Sequence, residues 1–184
     1  MRSRPGVLYP EILGEAYQNL HKTLKLPAPD AAEVREFGGS VGTWPAFGDS
    51  VEALKRLQNA AKKLVILSNV DNESLMQTLN GPLAGVVFDA VYTAQDIGTY
   101  KPDPRNFEYL LRKVEQDFGV QKEGLLHVGV GLESDAVPAK EFGIASCWIS
   151  RRGGNEDLKQ VEAQTDIGWK FEGMKGFAEA VEKG

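Results

Sequence analysis

The chain has 184 residues, 42% of them apolar, which is enough for one domain with a real core and a small appendage. Its 21 basic and 26 acidic side chains give a net charge of -5 with no basic tract, which argues against nucleic acid and anionic membrane as partners. The longest apolar runs are far too short to span a bilayer and no signal-type stretch follows the first residues, so a cytoplasmic protein is expected. In chain order, apolar residues first recur at helical spacing over 9–24 (Ile12, Leu13, Tyr17, Leu20, Leu24), and Pro27 and Pro29 end the pattern because proline lacks the amide donor. A second helical stretch over 30–37 runs into Gly38 and Gly39. The turn-rich segment around Trp44 and Pro45 then suggests a boundary that separates 1–44 from 45–184. Asp49 with Glu52 three residues on has the spacing of a capping box, opening a helix that turns Val51, Leu54 and Leu57 inward.

From there the pattern alternates. An apolar run over 64–67 reads as a strand, Ser68 and Asn69 as a loop, and 73–79 as a helix. A strand is expected over 86–93, and Asp103 with Pro104 opens a strongly periodic helix with Phe107, Leu110, Leu111, Val114 and Phe118 on one face, closed by Gly119. A short strand over 125–128 leads through a glycine-containing loop to a helix over 135–142 and a strand over 145–149, where the lone Cys147 reads as a buried, inert thiol. The stretch 151–165 is polar, after which Trp169, Phe171 and a helical segment over 174–181 should pack back on the core. Strands alternating with helices predict a parallel, doubly wound α/β sheet.

In such a sheet ligands bind beyond the carboxyl ends of the strands, which directs attention to three places. Ser68 and Asn69 could hold an anionic oxygen near a helix start, or could form only a turn and cap. Lys101 sits between stiffening prolines that could aim its ammonium into a cleft, although an isolated loop lysine is usually just solvated. Asp135 or Glu133 could face the same crevice, or Asp135 could be a helix-start carboxylate favoured by the macrodipole. His127, inside an apolar strand, reads as a satisfied core histidine. Gly129 and Gly131 lack the third glycine of a dinucleotide loop.

Taken together, Ser68 and Asn69 after one strand, Lys101 with Pro102 and Asp103, and Gly129 followed by Asp135 resemble, in order and spacing, motifs two, three and four of the haloacid dehalogenase (HAD) superfamily. The likeness runs over about 9–181 and is closest to the type II haloacid dehalogenases. The resemblance implies a HAD-like, Rossmann-type core over 45–184 and the remnant of a helical cap over 1–44. It further implies that Ser68 and Asn69 bind a small anionic substrate, that Lys101 stabilises charge on a nucleophile and its ester, and that Asp135 is the motif-four acid.

The departures carry equal weight. Family members begin with a strand ending in a nucleophilic aspartate, followed shortly by threonine. Neither Asp89 before Thr93 nor Asp96 before Thr99 is a good substitute. Val130 replaces the acid that helps hold magnesium in the phosphatases, so no metal and no other cofactor are expected. The polar residues that dehalogenases place at Val130 and Leu132, and their tyrosine at Phe107, are absent too. The expectation is a relative of the HAD hydrolases that is inactive or very weak as written. The alternatives are a proton-transfer or isomerase-type enzyme using His127, Lys101 or Asp135, and a binding pseudoenzyme. The family's first strand lies between those corresponding to 64–67 and 125–128, so its loss should leave two unpaired inner edges. The segment 6–9, a second copy of the chain, re-pairing of the flanking strands or an upstream piece could satisfy them, and the last is the favoured expectation.

Overall fold

The computed structural model describes residues 6–60, 63–151 and 164–183. Two helices come first, α1 (Tyr9–Thr23) with Pro10 in its first turn and α2 (Ala31–Gly39). Asp30 Oδ1 accepts from the amides of Ala32 and Glu33, and Glu33 Oε2 accepts from the Asp30 amide at 2.8 Å. This reciprocal cap satisfies donors that the first turn of a helix leaves orphaned. The helices meet through small residues: a Cβ at Gly38 would run into the Pro10 carbonyl oxygen, and beside that contact Tyr17 stacks on Phe37 with ring centroids 4.5 Å apart. Gly38→Ala should therefore lower stability by about 2 kcal/mol through overpacking. A urea melt checks it, with Gly39→Ala, whose Cβ would meet no atom within 4 Å, as the neutral control.

The rest of the chain alternates helix and strand: α3 (Ser50–Ala60), β1 (Val65–Ser68), α4 (Asn72–Asn80), β2 (Ala90–Thr93), α5 (Ala94–Ile97), α6 (Pro104–Phe118) and β3 (Leu126–Gly129). A π turn, Leu132–Ala136, passes into α7 (Val137–Glu141), followed by β4 (Ala145–Ile149), β5 (Ile167–Phe171) and α8 (Met174–Lys183). All the pairings are parallel, β1 with β2 in one sheet and β3–β4–β5 in another. On one face α3 and α8 bury Ala53, Leu57, Phe177 and Ala178 against Cys147 and Ile149. On the other, α6 and α7 bury Phe107, Leu110, Val114 and Ala139 against Tyr92 and Ile144. This is the doubly wound α/β arrangement that the alternating pattern predicts.

Several elements differ from the sequence expectation, each for a local reason. The strand expected from residue 86 begins only at Ala90, because the Val86 amide donates to Leu83 O in a turn and Val87 is exposed. Asp49 directs its carboxylate away from its own helix: Oδ1 accepts from Arg151 Nη1 at 2.7 Å and Oδ2 from the Lys175 amide at 3.2 Å. The helix expected over 135–142 opens as a π turn, since Pro138 has no amide to continue the i→i−4 ladder. β5 was not anticipated, because an edge strand with Gly168, Trp169 and Lys170 exposed shows no apolar alternation. Most of the polar stretch expected over 151–165 lies outside the described residues.

The two sheets share their helical layers. Leu64, leading into β1, packs in the same cluster as Val128 of β3, and Val65 and Leu67 share the opposite cluster with Leu125. Yet β1 and β3 are not hydrogen-bonded to each other, and the segment 6–9 joins neither, with Gly6 in a turn and Tyr9 already helical. Inner strands of a parallel sheet are normally its most buried ones. Here the order is inverted: β4 is buried at four of its five residues, while β1 is only partly covered and Leu126 of β3 is 40% exposed.

Candidate active site

The carboxyl ends of β1 and β3 meet at a compact ionic cluster. Lys101 Nζ donates to Asp135 Oδ1 at 2.6 Å and to the carbonyl of Leu67, in β1, at 2.8 Å. His127 Nε2, from β3, lies 3.0 Å from the same Asp135 oxygen, and Ser134 Oγ donates to the other at 2.8 Å. The Lys101 and Asp135 side chains are 10% and 12% exposed, so the pair is largely withdrawn from water. Burial pushes the Asp135 carboxyl up, but the hydrogen bond from His127 and the charges of Lys101 and His127 outweigh it and hold the group well below the usual carboxylate range.

Local structure explains why these groups converge. Asn69 clamps the backbone of Lys101, its Oδ1 accepting from the Lys101 amide at 2.7 Å and its Nδ2 donating to the Lys101 carbonyl at 3.1 Å. The loop is anchored from below by Asn106, fully buried, whose Nδ2 donates to Thr99 Oγ1 and to Asp103 O. Asp103 caps α6 by accepting from the Arg105 amide, as its place before Pro104 predicts. Around Asp135 the backbone comes close: a Cβ at Gly131 would collide with Ser134 Oγ and stand 2.7 Å from Asp135 Oδ2. The Phe107 ring, 5.1 Å from the His127 ring between centroids, supports the histidine from the core side.

Of the residues singled out in the sequence, Lys101 and Asp135 are in direct contact, Asn69 holds the lysine's backbone, and Ser68 lies at the end of β1 with its Oγ accepting from the Val70 amide at 3.2 Å. Glu133 points elsewhere, lining a cavity of about 340 Å³ with Thr99, Pro102, Asp103 and Arg105 on the other side of the loop. Asp89 sits at the opposite end of β1, where it binds Lys63 and the Leu64 amide, and Asp96 accepts from Asn72 Nδ2. His127 is a largely covered histidine, as its place in an apolar strand suggests, and the partner that satisfies its ring nitrogen is the Asp135 carboxylate. Ser134 and Asn106 were not anticipated. A polar residue beside Phe107 in the inward stripe of α6 is the signal that would have found Asn106.

Val130, 58% exposed beside the cluster, offers only its carbonyl, which accepts from Trp148 Nε1. No group of three or more histidine, cysteine, aspartate or glutamate side chains among the described residues is gathered so that it could hold a metal ion. Among the described residues no helix is long and apolar enough to cross a membrane.

Comparison with known proteins matches this arrangement. The family model for haloacid dehalogenase-like hydrolases matches residues 6–143. An (S)-2-haloacid dehalogenase of Pseudomonas putida is 32% identical over 111 residues, covering 60% of this chain and 47% of that protein. The (S)-2-haloacid dehalogenase H-109 of the same species is 28% identical over 126 residues, 68% of this chain and 54% of that one. The chain thus spans about half the length of the curated relatives it matches. The solved L-2-haloacid dehalogenase of Xanthobacter autotrophicus superposes with a TM-score of 0.74 at 21% identity, covering 96% of this chain and 76% of that one. With three motif positions gathered at the strand ends of the expected fold, and a family model covering most of the sequence, the chain belongs to the haloacid dehalogenase-like hydrolases.

Proposed function

We propose that Lys101, Asp135, Ser68 and Asn69 are the anion-binding and charge-stabilising part of a haloacid dehalogenase-type site for a small 2-haloacid. We propose further that these residues turn such a substrate over weakly or not at all by themselves. The observation that carries the reading is the Lys101–Asp135 contact: a buried ammonium fixed at 2.6 Å from a carboxylate, at the carboxyl ends of parallel strands, is placed to stabilise developing negative charge. Ser68 and the amides at the end of β1 then face the substrate's carboxylate, Asn69 sets the height of Lys101, and residues 1–44 act as the cap remnant over this end of the sheet.

The weak-turnover part rests on the state of Asp135. A carboxylate nucleophile needs a free oxygen lone pair directed at the carbon it attacks. Asp135 has its Oδ1 engaged by Lys101 and His127 and its Oδ2 by Ser134, and its depressed pKa makes it a poor base. Chloride release from 2-chloropropionate by the 184-residue chain should accordingly stay at the level of the buffer blank. Robust turnover that Lys101→Ala abolishes would overturn the weak-turnover part and leave the site assignment standing.

A further inference from the structure

Arg151, two residues past the end of β4, makes a set of contacts that the ionic cluster does not use. Its Nη1 donates to Asp49 Oδ1 at 2.7 Å and its Nη2 to Ser50 Oγ at 3.0 Å, and its guanidinium lies over the Phe47 ring, 4.0 Å from the centroid. One side chain thus grips three residues of the segment 47–50, which joins residues 1–44 to α3. The grip is braced from behind. Asp49 Oδ2 accepts from the Lys175 amide at 3.2 Å, the Ser150 amide donates to Phe171 O at 2.8 Å, and a Cβ at Gly173 would run into Asp49 Oδ2. The Arg151 side chain is 12% exposed while Phe47, stacked on it, is 62% exposed, so the ring serves as a cover for the ion pair rather than as a piece of the core.

Residues 1–44 also meet the core through neutral hydrogen bonds. Thr78 Oγ1, in α4, donates to Gly42 O at 3.2 Å, and the Tyr100 hydroxyl donates to Val7 O. Both of these core residues belong to elements that lead away from the ionic cluster, since α4 follows Asn69 and Tyr100 directly precedes Lys101. We propose that Arg151 is the positioning residue that seats residues 1–44 on the core, locking the joint at 47–50 so that the pair α1 and α2 stays against α4 and the Lys101 loop. Magnitude favours this joint over the others. Two charge-assisted hydrogen bonds and a cation–π contact converge on 47–50, whereas the bonds at Gly42 and Val7 join neutral groups and are each about half as strong as a charge-assisted one. Shape favours arginine in particular. A planar guanidinium can serve Asp49 and Ser50 with separate nitrogens and still offer a face to Phe47, which the compact ammonium of lysine cannot do. The role concerns how residues 1–44 are held and stands whether or not the chain hydrolyses a haloacid.

The test uses the 184-residue chain with nitroxide labels on cysteines introduced at two exposed positions, Lys22→Cys in α1 and Glu123→Cys in the core, while Cys147, 2% exposed, stays unlabelled. The spin–spin distance distribution reports how residues 1–44 sit, and hydrogen exchange over 44–50, read by mass spectrometry, reports the joint itself. In Arg151→Met the distribution should broaden and exchange over 44–50 should speed by about tenfold or more, the usual margin of a hydrogen bond to a charged group. Exchange over 145–149, inside β4, should stay as in the parent chain, because the opening is local. Arg151→Lys keeps a cation beside Asp49 and so spares the fold; it should show the same two changes to a smaller degree. Unchanged distances and exchange in both variants would overturn the proposal. Equal acceleration over 44–50 and 145–149 would make Arg151 a general stabiliser of the core and overturn it as well. Faster exchange over 44–50 with an unchanged distance distribution would leave the seating to the Gly42 and Val7 contacts and overturn the role given to Arg151. Full recovery by Arg151→Lys would overturn the part assigned to the stack on Phe47.

Discussion

Asp135→Ala should lower the stability of the chain by about 4 kcal/mol, because it leaves a desolvated ammonium facing only the Leu67 carbonyl. The expected loss exceeds that for an exposed ion pair because both side chains are nearly covered, so neither charge recovers its hydration when the other is removed. Lys101→Met alone should also destabilise. The double variant should be less impaired than the sum of the two, with a coupling of about 2 kcal/mol in a double-mutant cycle read from urea melts. Additive losses would mean that the two groups act separately. The same pair fixes a pH dependence. The folded pKa of Asp135 is held below the unfolded value of about 3.9, so its contribution is complete above that pH and is lost as the pH falls through the folded value. The stability gap between the parent chain and Asp135→Ala should therefore be constant near neutrality and narrow below about pH 4.

Phe107→Ala should cost about 4 kcal/mol, the usual loss for truncating a wholly enclosed aromatic ring. The ring has no exposed surface, stacks on Phe142 at 5.8 Å and touches the His127 ring at 5.1 Å, so its removal opens a cavity directly behind the ionic cluster. Phe107→Leu should recover more than half of that loss by refilling most of the volume. The side effect separates this residue from an ordinary core position: with its support gone, the His127 ring should hold Asp135 less firmly, and its imidazole N–H should exchange faster with water in the alanine variant. An unchanged exchange rate of the His127 N–H would limit Phe107 to packing.

Much of the fold is legible in the linear pattern because it depends on short-range rules. Proline at the start of α6 with Asp103 as its cap, the inward stripe Phe107, Leu110 and Val114, and the apolar runs that become β1, β3 and β4 all follow from periodicity and capping chemistry within a few residues. The motif spacing likewise indicates Lys101 and Asp135 as residues of one site, since parallel strands deliver the residues that follow them to the same end of a sheet. β2 and β5 escaped or shifted because their status depends on neighbours. Val86 and Val87 have strand-like character but lie at and just beyond the end of a turn, outside any strand, while polar Gly168 and Lys170 are strand only because β4 lies alongside.

What the sequence determined by itself is the class of fold, the order of its elements and the residue types brought to the site. What only the tertiary structure decided is how those residues are used. Asn69, an expected anion ligand, has its amide occupied by the backbone of Lys101; Asp49 answers to Arg151 rather than to its own helix; and His127 turns out to reach Asp135. The physical reason is common to all three. A hydrogen bond is committed to whichever donor and acceptor meet at 2.6–3.0 Å, and partners 8 to 102 residues apart in sequence meet only once the layers are assembled. The split between β1 and β3 stands on the other side of this line: the family resemblance already implies unpaired inner edges at 64–67 and 125–128, and the structure places the two strands in separate sheets.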